Sequence, residues 1–292
     1  MMKIRIAWIE HRIEDRKMKK SYFLACAVIL VAIACRAPQP VAVAVPPPPP
    51  TIYADWQQRI SQQNADAVIY QHTSAEIHRL YEQCYELARL RLNVNLQHPH
   101  TLPPAVIVDI DETVLDNSPY QMTNTATGRT YTQANWNEWT FMASAKALPG
   151  SLEFLRYAAS KGCEVFYISN RSMAEKNATV KNLHELEFPN ADDAHVMCMD
   201  TESDKTKRRA TVSANHFVAL LVGDQLRDFD ERFKDRSTDF GKPTIATLRD
   251  TMRDYFILLP NPMYGTWLDA VSGKTDSLKV SRKAEFFEHN HY

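Results

Sequence analysis

Two aspartates two positions apart, Asp109 and Asp111, begin the acidic sequence Asp-Ile-Asp-Glu-Thr, which directly follows an apolar run. A carboxylate can attack phosphorus and form an aspartyl phosphate. A second carboxyl group nearby can protonate the leaving oxygen and then take a proton from the hydrolytic water. The pair therefore indicates phosphoryl chemistry at the carboxyl end of a strand, although five such residues are also compatible with an acidic surface turn.

Phosphate-binding groups follow two later apolar runs. Ser169 and Asn170 come after one of them, where a hydroxyl and free N–H groups at a helix start suit phosphate oxygens. Lys205 comes after the next and could neutralise phosphate charge. The basic residues at 207–209 share this segment, and we interpret them as a solvated basic face.

Further carboxylates follow a fourth apolar run. Asp224 ends it and Asp228 stands four residues later. Carboxylates at strand ends can complete the oxygen shell that Mg²⁺ prefers. Each polar residue alone is a weak signal, but four such groups in this order, each after its own strand, are specific.

The elements that must position these residues alternate between strand and helix. Alternation with fully apolar strands predicts an α/β fold, in which a Rossmann-like parallel β-sheet is flanked by helices. Residues 117–148 lack a strand pattern and are rich in Thr, Asn and aromatic residues, so we expect a small, mostly helical cap there. The predicted strands are 105–109, 165–168, 195–199, 217–222 and 255–259, and the predicted helices are 60–92, 151–160, 173–186, 204–214 and 226–233.

Taken in chain order, these motifs resemble the four motifs of the haloacid dehalogenase superfamily. The longer segments 109–120, 149–150, 223–229 and 260–265 are similar to those of the class C acid phosphatases (subfamily IIIB), the bacterial lipoprotein 5′-nucleotidases. The resemblance covers roughly residues 54–268. It implies the haloacid dehalogenase fold and Mg²⁺-dependent hydrolysis of phosphomonoesters.

The resemblance also implies a metal site. Asp109 would be the nucleophile and a Mg²⁺ ligand. Asp111 would be the general acid and base and would ligate the ion through its backbone carbonyl. Asp224 would be the third protein ligand, and Asp228 would support the metal directly or through a water.

Substrate contacts follow from the same resemblance. Ser169, Asn170 and Lys205 would bind the transferred phosphoryl group, and Thr113 is expected to contact substrate as well. Trp136 is one of several aromatic residues that could stack on a nucleobase.

Other aromatic residues extend this substrate prediction. Tyr120 or Tyr131 could stack a base from the cap, with Tyr264 on the opposite side. The same rings could instead pack the cap or a dimer interface. The candidate substrates are 5′-mononucleotides, nicotinamide mononucleotide and aryl phosphates.

Bulk properties exclude some other functions. The formal net charge of −1 offers no global field for a nucleic acid polymer. The pattern RHGxR of the histidine acid phosphatases is absent. A surface ligand-binding lipoprotein on a phosphatase-like fold stays open as an alternative, and a homodimer is compatible with the sequence.

The N-terminus predicts export. Residues 1–35 resemble a secretory signal, with Met18 as an alternative start, and Cys35 resembles the lipidated cysteine of a bacterial lipoprotein. We expect anchoring in the outer membrane. A Pro-rich linker at 36–51, a phosphatase domain at 52–270 and a polar tail at 271–292 complete the predicted organisation.

Overall fold

The computed structural model describes residues 56–272 and 276–289, all of which belong to a compact unit that runs from Ile52 to Tyr292. The predicted signal, Cys35 and the Pro-rich linker lie outside the described residues. No helix in the described ranges combines the length and apolar character needed to cross a membrane.

A five-stranded parallel sheet is the centre of the fold, which confirms the predicted α/β class. Its strand order is β5-β4-β1-β6-β7. A separate antiparallel pair joins β2 to β3. The strands are β1 Pro104–Val108, β2 Leu115–Asp116, β3 Lys146–Ala147, β4 Glu164–Ser172, β5 Val196–Met199, β6 Phe217–Gly223 and β7 Phe256–Leu258.

Helices cover both faces of this sheet. They are α1 Trp56–Gln63, α2 Ala65–Thr73, α3 Ala75–Asn95, α4 Ser118–Thr127, α5 Gln133–Thr140, α6 Ser151–Ser160, α7 Lys176–Glu185, α8 Thr206–Ser213, α9 Leu226–Phe229, α10 Lys242–Thr247, α11 Arg249–Tyr255, α12 Thr266–Ser272 and α13 Asp276–His289.

The central strand β1 shows why its residues are apolar on both sides. Val106 and Val108 pack into the larger core cluster with Tyr81 and Leu92 of α3. Ile107, which alternates with them, belongs to the cluster on the other side. Because side chains of a strand alternate between its two faces, a strand covered on both sides must be apolar throughout.

The predicted helix 60–92 is divided into three helices. Ser74 lies between α2 and α3 in an extended conformation, and its side chain accepts a hydrogen bond from the backbone N–H of Ile77 at 3.0 Å. This is an N-terminal cap, so the chain begins a new helix here. The apolar periodicity continues across the break, which is why the sequence pattern did not show it.

The segment predicted as the cap contains α4 and α5, together with a short strand that the sequence pattern missed. Leu115 pairs with Ala147, and Asp116 pairs with Lys146. Two residues are too few to show an alternating pattern, but the pair ties the two ends of the insertion together.

The segment predicted as a polar tail contains the helix α13. This helix packs against α1 and α12, and the ring of its Phe286 contacts Phe240. Its last described residue is His289. The three cysteines of the described residues, Cys84, Cys163 and Cys198, form no disulfide.

Candidate active site

Three aspartates meet at the carboxyl ends of the neighbouring strands β1 and β6. Asp109, Asp224 and Asp228 are buried, and one carboxylate oxygen from each lies within 4.8 Å of the others. Asp109 directly follows β1, and its N–H donates to Val222 of β6 at 2.9 Å. The two adjacent strands thus bring together residues 115 positions apart in the chain.

Asp228 lies in the first turn of the short helix α9, where its side chain accepts a hydrogen bond from the N-cap residue. Its carboxylate accepts a hydrogen bond from the N–H of Gln225 at 2.9 Å. A Cβ atom at Gly223 would come within 2.5 Å of the Asp228 carboxylate. Glycine at this strand end is therefore required for the approach of Asp228.

The carboxylates are strongly perturbed by their surroundings. Burial raises the pKa of Asp109 well above its usual range, and Asp228 and Asp224 raise it further, against the lowering effect of Lys205. Burial, followed by the charge of Asp228, raises the pKa of Asp224 to about 7. Asn261 and Gln225 donate to Asp224 at 2.7 Å and 2.8 Å, which fixes its carboxylate in place.

A buried lysine balances part of this charge. The ammonium of Lys205 donates to Asp109 and, at 2.7 Å, to Asp228. Burial alone would lower the pKa of Lys205, but the two aspartates outweigh it and raise the pKa. If all three carboxylates ionise, as ligation of a cation requires, the group with one lysine carries a charge of −2. Hard oxygen donors with this charge fit a divalent cation such as Mg²⁺.

Asp111 is held by an arginine that the sequence analysis did not include among the site residues. Arg171 is buried, and its Nη2 and Nε atoms donate to Asp111 Oδ1 at 2.7 Å and 3.0 Å. Asn117 donates to the same oxygen at 2.9 Å. These contacts orient the carboxylate of Asp111 within the cavity wall. The signal that could have identified Arg171 is its place directly after Ser169-Asn170.

The predicted phosphate-binding residues occupy different positions. Asn170 and Lys205 line the cavity. The Ser169 hydroxyl is fully buried, accepts from the N–H of Arg171 at 3.0 Å and lies 3.4 Å from Asp111 Oδ2. It supports the end of β4 and does not form part of the cavity wall.

The structure does not bring Thr113 to the cavity. Its side chain is fully buried, and its hydroxyl has no hydrogen-bond partner among the described residues. The chain folds back at this point, because the N–H groups of Thr113, Val114 and Leu115 all donate to the carbonyl of Ile110. Tyr85 donates to the carbonyl of Thr113 at 2.5 Å and secures the turn.

The interpretation of 207–209 as a solvated basic face was wrong for two of its three residues. Arg208 donates to the carbonyl of Ser169 at 2.6 Å and to the Asn170 side chain at 2.7 Å. Arg209 donates to the carbonyl of Asp228 at 2.9 Å. Only Lys207 is solvated, with 86% of its side chain exposed. Helical geometry places the two arginines toward the strand ends, which a linear charge run does not reveal.

A cavity of about 470 Å³ extends from the carboxylates toward the cap. The four aromatic residues predicted for substrate binding, Tyr120, Tyr131, Trp136 and Tyr264, all line it. Trp136 is buried, and its ring meets that of Tyr120 edge-on at 5.0 Å. Tyr131 is 61% exposed. Trp136 therefore packs the cap, and Tyr131 has more free surface for a ligand.

Comparison with known proteins agrees with this geometry. A model of the haloacid dehalogenase superfamily, subfamily IIIB (acid phosphatase), matches residues 51–267. The chain belongs to this family. The match includes all the aspartates described above.

Two solved structures of this class C type resemble the chain over most of its length. The class C acid phosphatase from Bacillus anthracis is 36% identical, with a TM-score of 0.74, and the alignment covers 78% of this chain and 97% of that one. A crystal structure of the class C acid phosphatase from Bacillus anthracis with tungstate bound is likewise 36% identical, with a TM-score of 0.73, and the alignment covers 77% and 96% of the two chains.

A curated relative is more distant. Acid phosphatase 1 from Solanum lycopersicum is 27% identical over 158 residues, which are 54% of this chain. The chain spans 57% of the length of that relative.

Proposed function

We propose that this protein is a Mg²⁺-dependent acid phosphatase that hydrolyses small phosphomonoesters through an aspartyl phosphate on Asp109. The observation that carries the proposal is the meeting of Asp109, Asp111 and Lys205 on one cavity wall. These are a nucleophile, a proton donor and a phosphate-binding cation.

Each residue has a defined part in the proposed reaction. Asp109 attacks phosphorus, and the bond between phosphorus and the leaving oxygen breaks. Asp111, oriented by Arg171, protonates that oxygen and then accepts a proton from the water that hydrolyses the aspartyl phosphate. Lys205 and Asn170 hold the phosphoryl oxygens, on which negative charge increases in the transition state.

Asp109, Asp224 and Asp228 would hold Mg²⁺, with the backbone carbonyl of Asp111 as a further predicted ligand. When bound, the ion would stabilise negative charge on the phosphoryl oxygens. The raised pKa values of Asp109 and Asp224 support this proposal, because a cation would relieve the cost of burying carboxylates together.

The proposed substrates are 5′-nucleotides, nicotinamide mononucleotide and aryl phosphates. Support comes from the aromatic residues of the cavity, of which Tyr131 is the most exposed. A nucleobase could stack on such a ring.

We also propose that the protein is exported and anchored in the outer membrane through a lipid on Cys35. A Cys35→Ala variant should then move from the membrane fraction to the soluble fraction. Persistence of the variant in the membrane fraction would contradict the lipid anchor and leave the catalytic proposal intact.

The test of the catalytic proposal is phosphate release at mildly acidic pH from adenosine 5′-monophosphate and p-nitrophenyl phosphate, with Mg²⁺ and with EDTA. We expect release that depends on the metal. Asp109→Asn should reduce turnover by roughly a thousandfold or more, because an amide is no nucleophile for this step. A folded variant that keeps most of its activity would contradict Asp109 as nucleophile. A folded wild-type protein without release would favour the ligand-binding lipoprotein.

A further inference from the structure

The C-terminal helix α13 contributes to the wall of the active-site cavity. Its residues Lys279 and Lys283 are half-buried and line the same cavity as Asp109. The helix packs against α1 and α12. Its lysines therefore belong to a part of the cavity wall that is separate from the residues at the strand ends. The family match ends at residue 267 and α13 begins at Asp276, so this wall lies outside the matched region.

The two lysines are neighbours on one face of the helix, because residues four apart in an α-helix lie side by side. Burial lowers the pKa of Lys283, and the charge of Lys279 lowers it further. An anion close to both ammonium groups would offset burial and repulsion together. At Lys283 the surroundings thus favour a negatively charged ligand, and Lys279 adds a second positive charge to the same part of the wall.

Lys283, which is half-buried, differs in its partners from the two buried cations of this cavity. Arg171 is paired with Asp111, and Lys205 is paired with Asp109 and Asp228. Within the part of the chain that the structure describes, Lys283 forms no ion pair with a carboxylate. The exposed Asp269 also lines the cavity.

We propose that Lys283, together with Lys279, binds a second anionic group on the substrate, so that the enzyme favours phosphomonoesters carrying another phosphate, sulfate or carboxylate. This inference rests on the proposed function, because the scissile phosphoryl group must first bind at Asp109. A cavity of about 470 Å³ is large enough for a small organic molecule between two anionic groups. The aromatic rings of the cap would contact the apolar part between them.

Two pairs of substrates test the second anion-binding site. The first pair is adenosine 5′-monophosphate and adenosine 3′,5′-bisphosphate, with the products identified by chromatography. The second pair is phenyl phosphate and 4-carboxyphenyl phosphate, in which the second anion cannot be hydrolysed. In each pair, one substrate carries a second anionic group and the other does not. The measured quantity is kcat/KM for the first divided by kcat/KM for the second. Comparing this ratio between variants cancels the intrinsic reactivity of each leaving group.

Lys283→Met should lower the ratio in at least one pair by about fivefold or more, mainly through KM, because a charge-assisted contact is lost. Lys283→Arg keeps the charge and should hold the ratio within about twofold of the wild-type value. Lys181→Met is the matched control: Lys181 lies on α7 with 63% of its side chain exposed and does not line the cavity.

An unchanged ratio in both pairs of the Lys283→Met variant would overturn the proposal. This includes an equal decrease of kcat/KM for all four substrates, which would indicate general attraction of phosphates or a structural role of Lys283. If the wild-type protein releases phosphate from none of the four, the proposed function itself fails.

Discussion

At the scale of single residues, Arg171 links the two halves of the site. It holds Asp111 with two nitrogen atoms, and its guanidinium lies 5.7 Å from the ring of Trp136 in the cap. It also donates to Thr179 at 3.1 Å. Because the guanidinium is planar, these contacts fix the orientation of the Asp111 carboxylate and not only its charge.

Arg171→Lys should therefore reduce kcat by roughly 10- to 100-fold, because the lysine keeps the charge but loses the two-nitrogen contact. The loss should be larger for an alkyl phosphate than for p-nitrophenyl phosphate, whose leaving oxygen needs less protonation. Steady-state kinetics with both substrates measure this difference. An equal loss on both substrates would contradict the role of Arg171 in positioning Asp111 as an acid.

At the scale of secondary-structure elements, α8 connects the segments that carry the proposed phosphate-binding residues. Lys205 occupies the N-cap position of α8, and Arg208 and Arg209 donate to the carbonyl groups of Ser169 and Asp228. One helix therefore contacts both the end of β4 and the helix α9 that follows β6. Reading the basic run 207–209 as a surface feature missed this, because the partners are distant in the chain.

Arg208→Met should lower kcat/KM by about tenfold, since the end of β4, which carries Ser169 and Asn170, loses two hydrogen bonds. Lys207→Met is the adjacent control: this exposed lysine pairs only with Glu202 among the described residues, so kcat/KM should stay within about twofold. Equal effects of the two substitutions on kcat/KM would contradict the positioning role of Arg208.

Helix α6 shows how a close approach between elements is achieved. Gly150 and Gly162 stand at its two ends with φ of +80° and +82°. A Cβ atom at Gly150 would lie 3.1 Å from the Cβ of Tyr85, whereas one at Gly162 would meet nothing within 4 Å. Tyr85 is the residue that secures the turn after Asp111.

Gly162→Ala should cost about 1 kcal/mol of unfolding free energy, because of the left-handed backbone alone. Gly150→Ala should cost at least about 1 kcal/mol more, since the contact with Tyr85 is added to the same strain. Urea denaturation of both variants measures the difference. Equal costs would mean that α3 shifts freely to accommodate the methyl group.

At the scale of the whole molecule, burying three carboxylates in one place is a cost to the folded state, and the raised pKa values of Asp109 and Asp224 reflect that cost. A ligand that binds only the folded protein stabilises it by mass action. Mg²⁺ at about a hundredfold excess over its dissociation constant should therefore raise Tm by roughly 5 °C. Differential scanning calorimetry with Mg²⁺ or EDTA measures this shift.

The shift should be smaller in Asp224→Asn, which removes one of the three carboxylates, and absent with NaCl at the same ionic strength. An equal rise in Asp224→Asn, or with NaCl, would indicate a general salt effect and contradict the three-aspartate metal site.

The sequence by itself determined the α/β class and the order of the motifs along the chain, and it selected most of the polar residues that line the cavity. Apolar strands such as 105–109 and 217–222 were recognisable within one residue of their observed ends, because burial on both faces requires a continuous apolar run. Asp109, Asp111, Lys205 and Asp224 all line the cavity, and the sequence could select them because polar residues that follow apolar strands form a local pattern.

Only the tertiary structure decided the contacts between segments distant in the chain. Arg171 and Asp111 are 60 residues apart, and Lys283 reaches the cavity from a helix that reads as a polar tail. Thr113, the last residue of the acidic motif, is buried in the core instead. Side-chain direction depends on how helices and loops pack against the sheet, and local residue patterns carry little information about that packing.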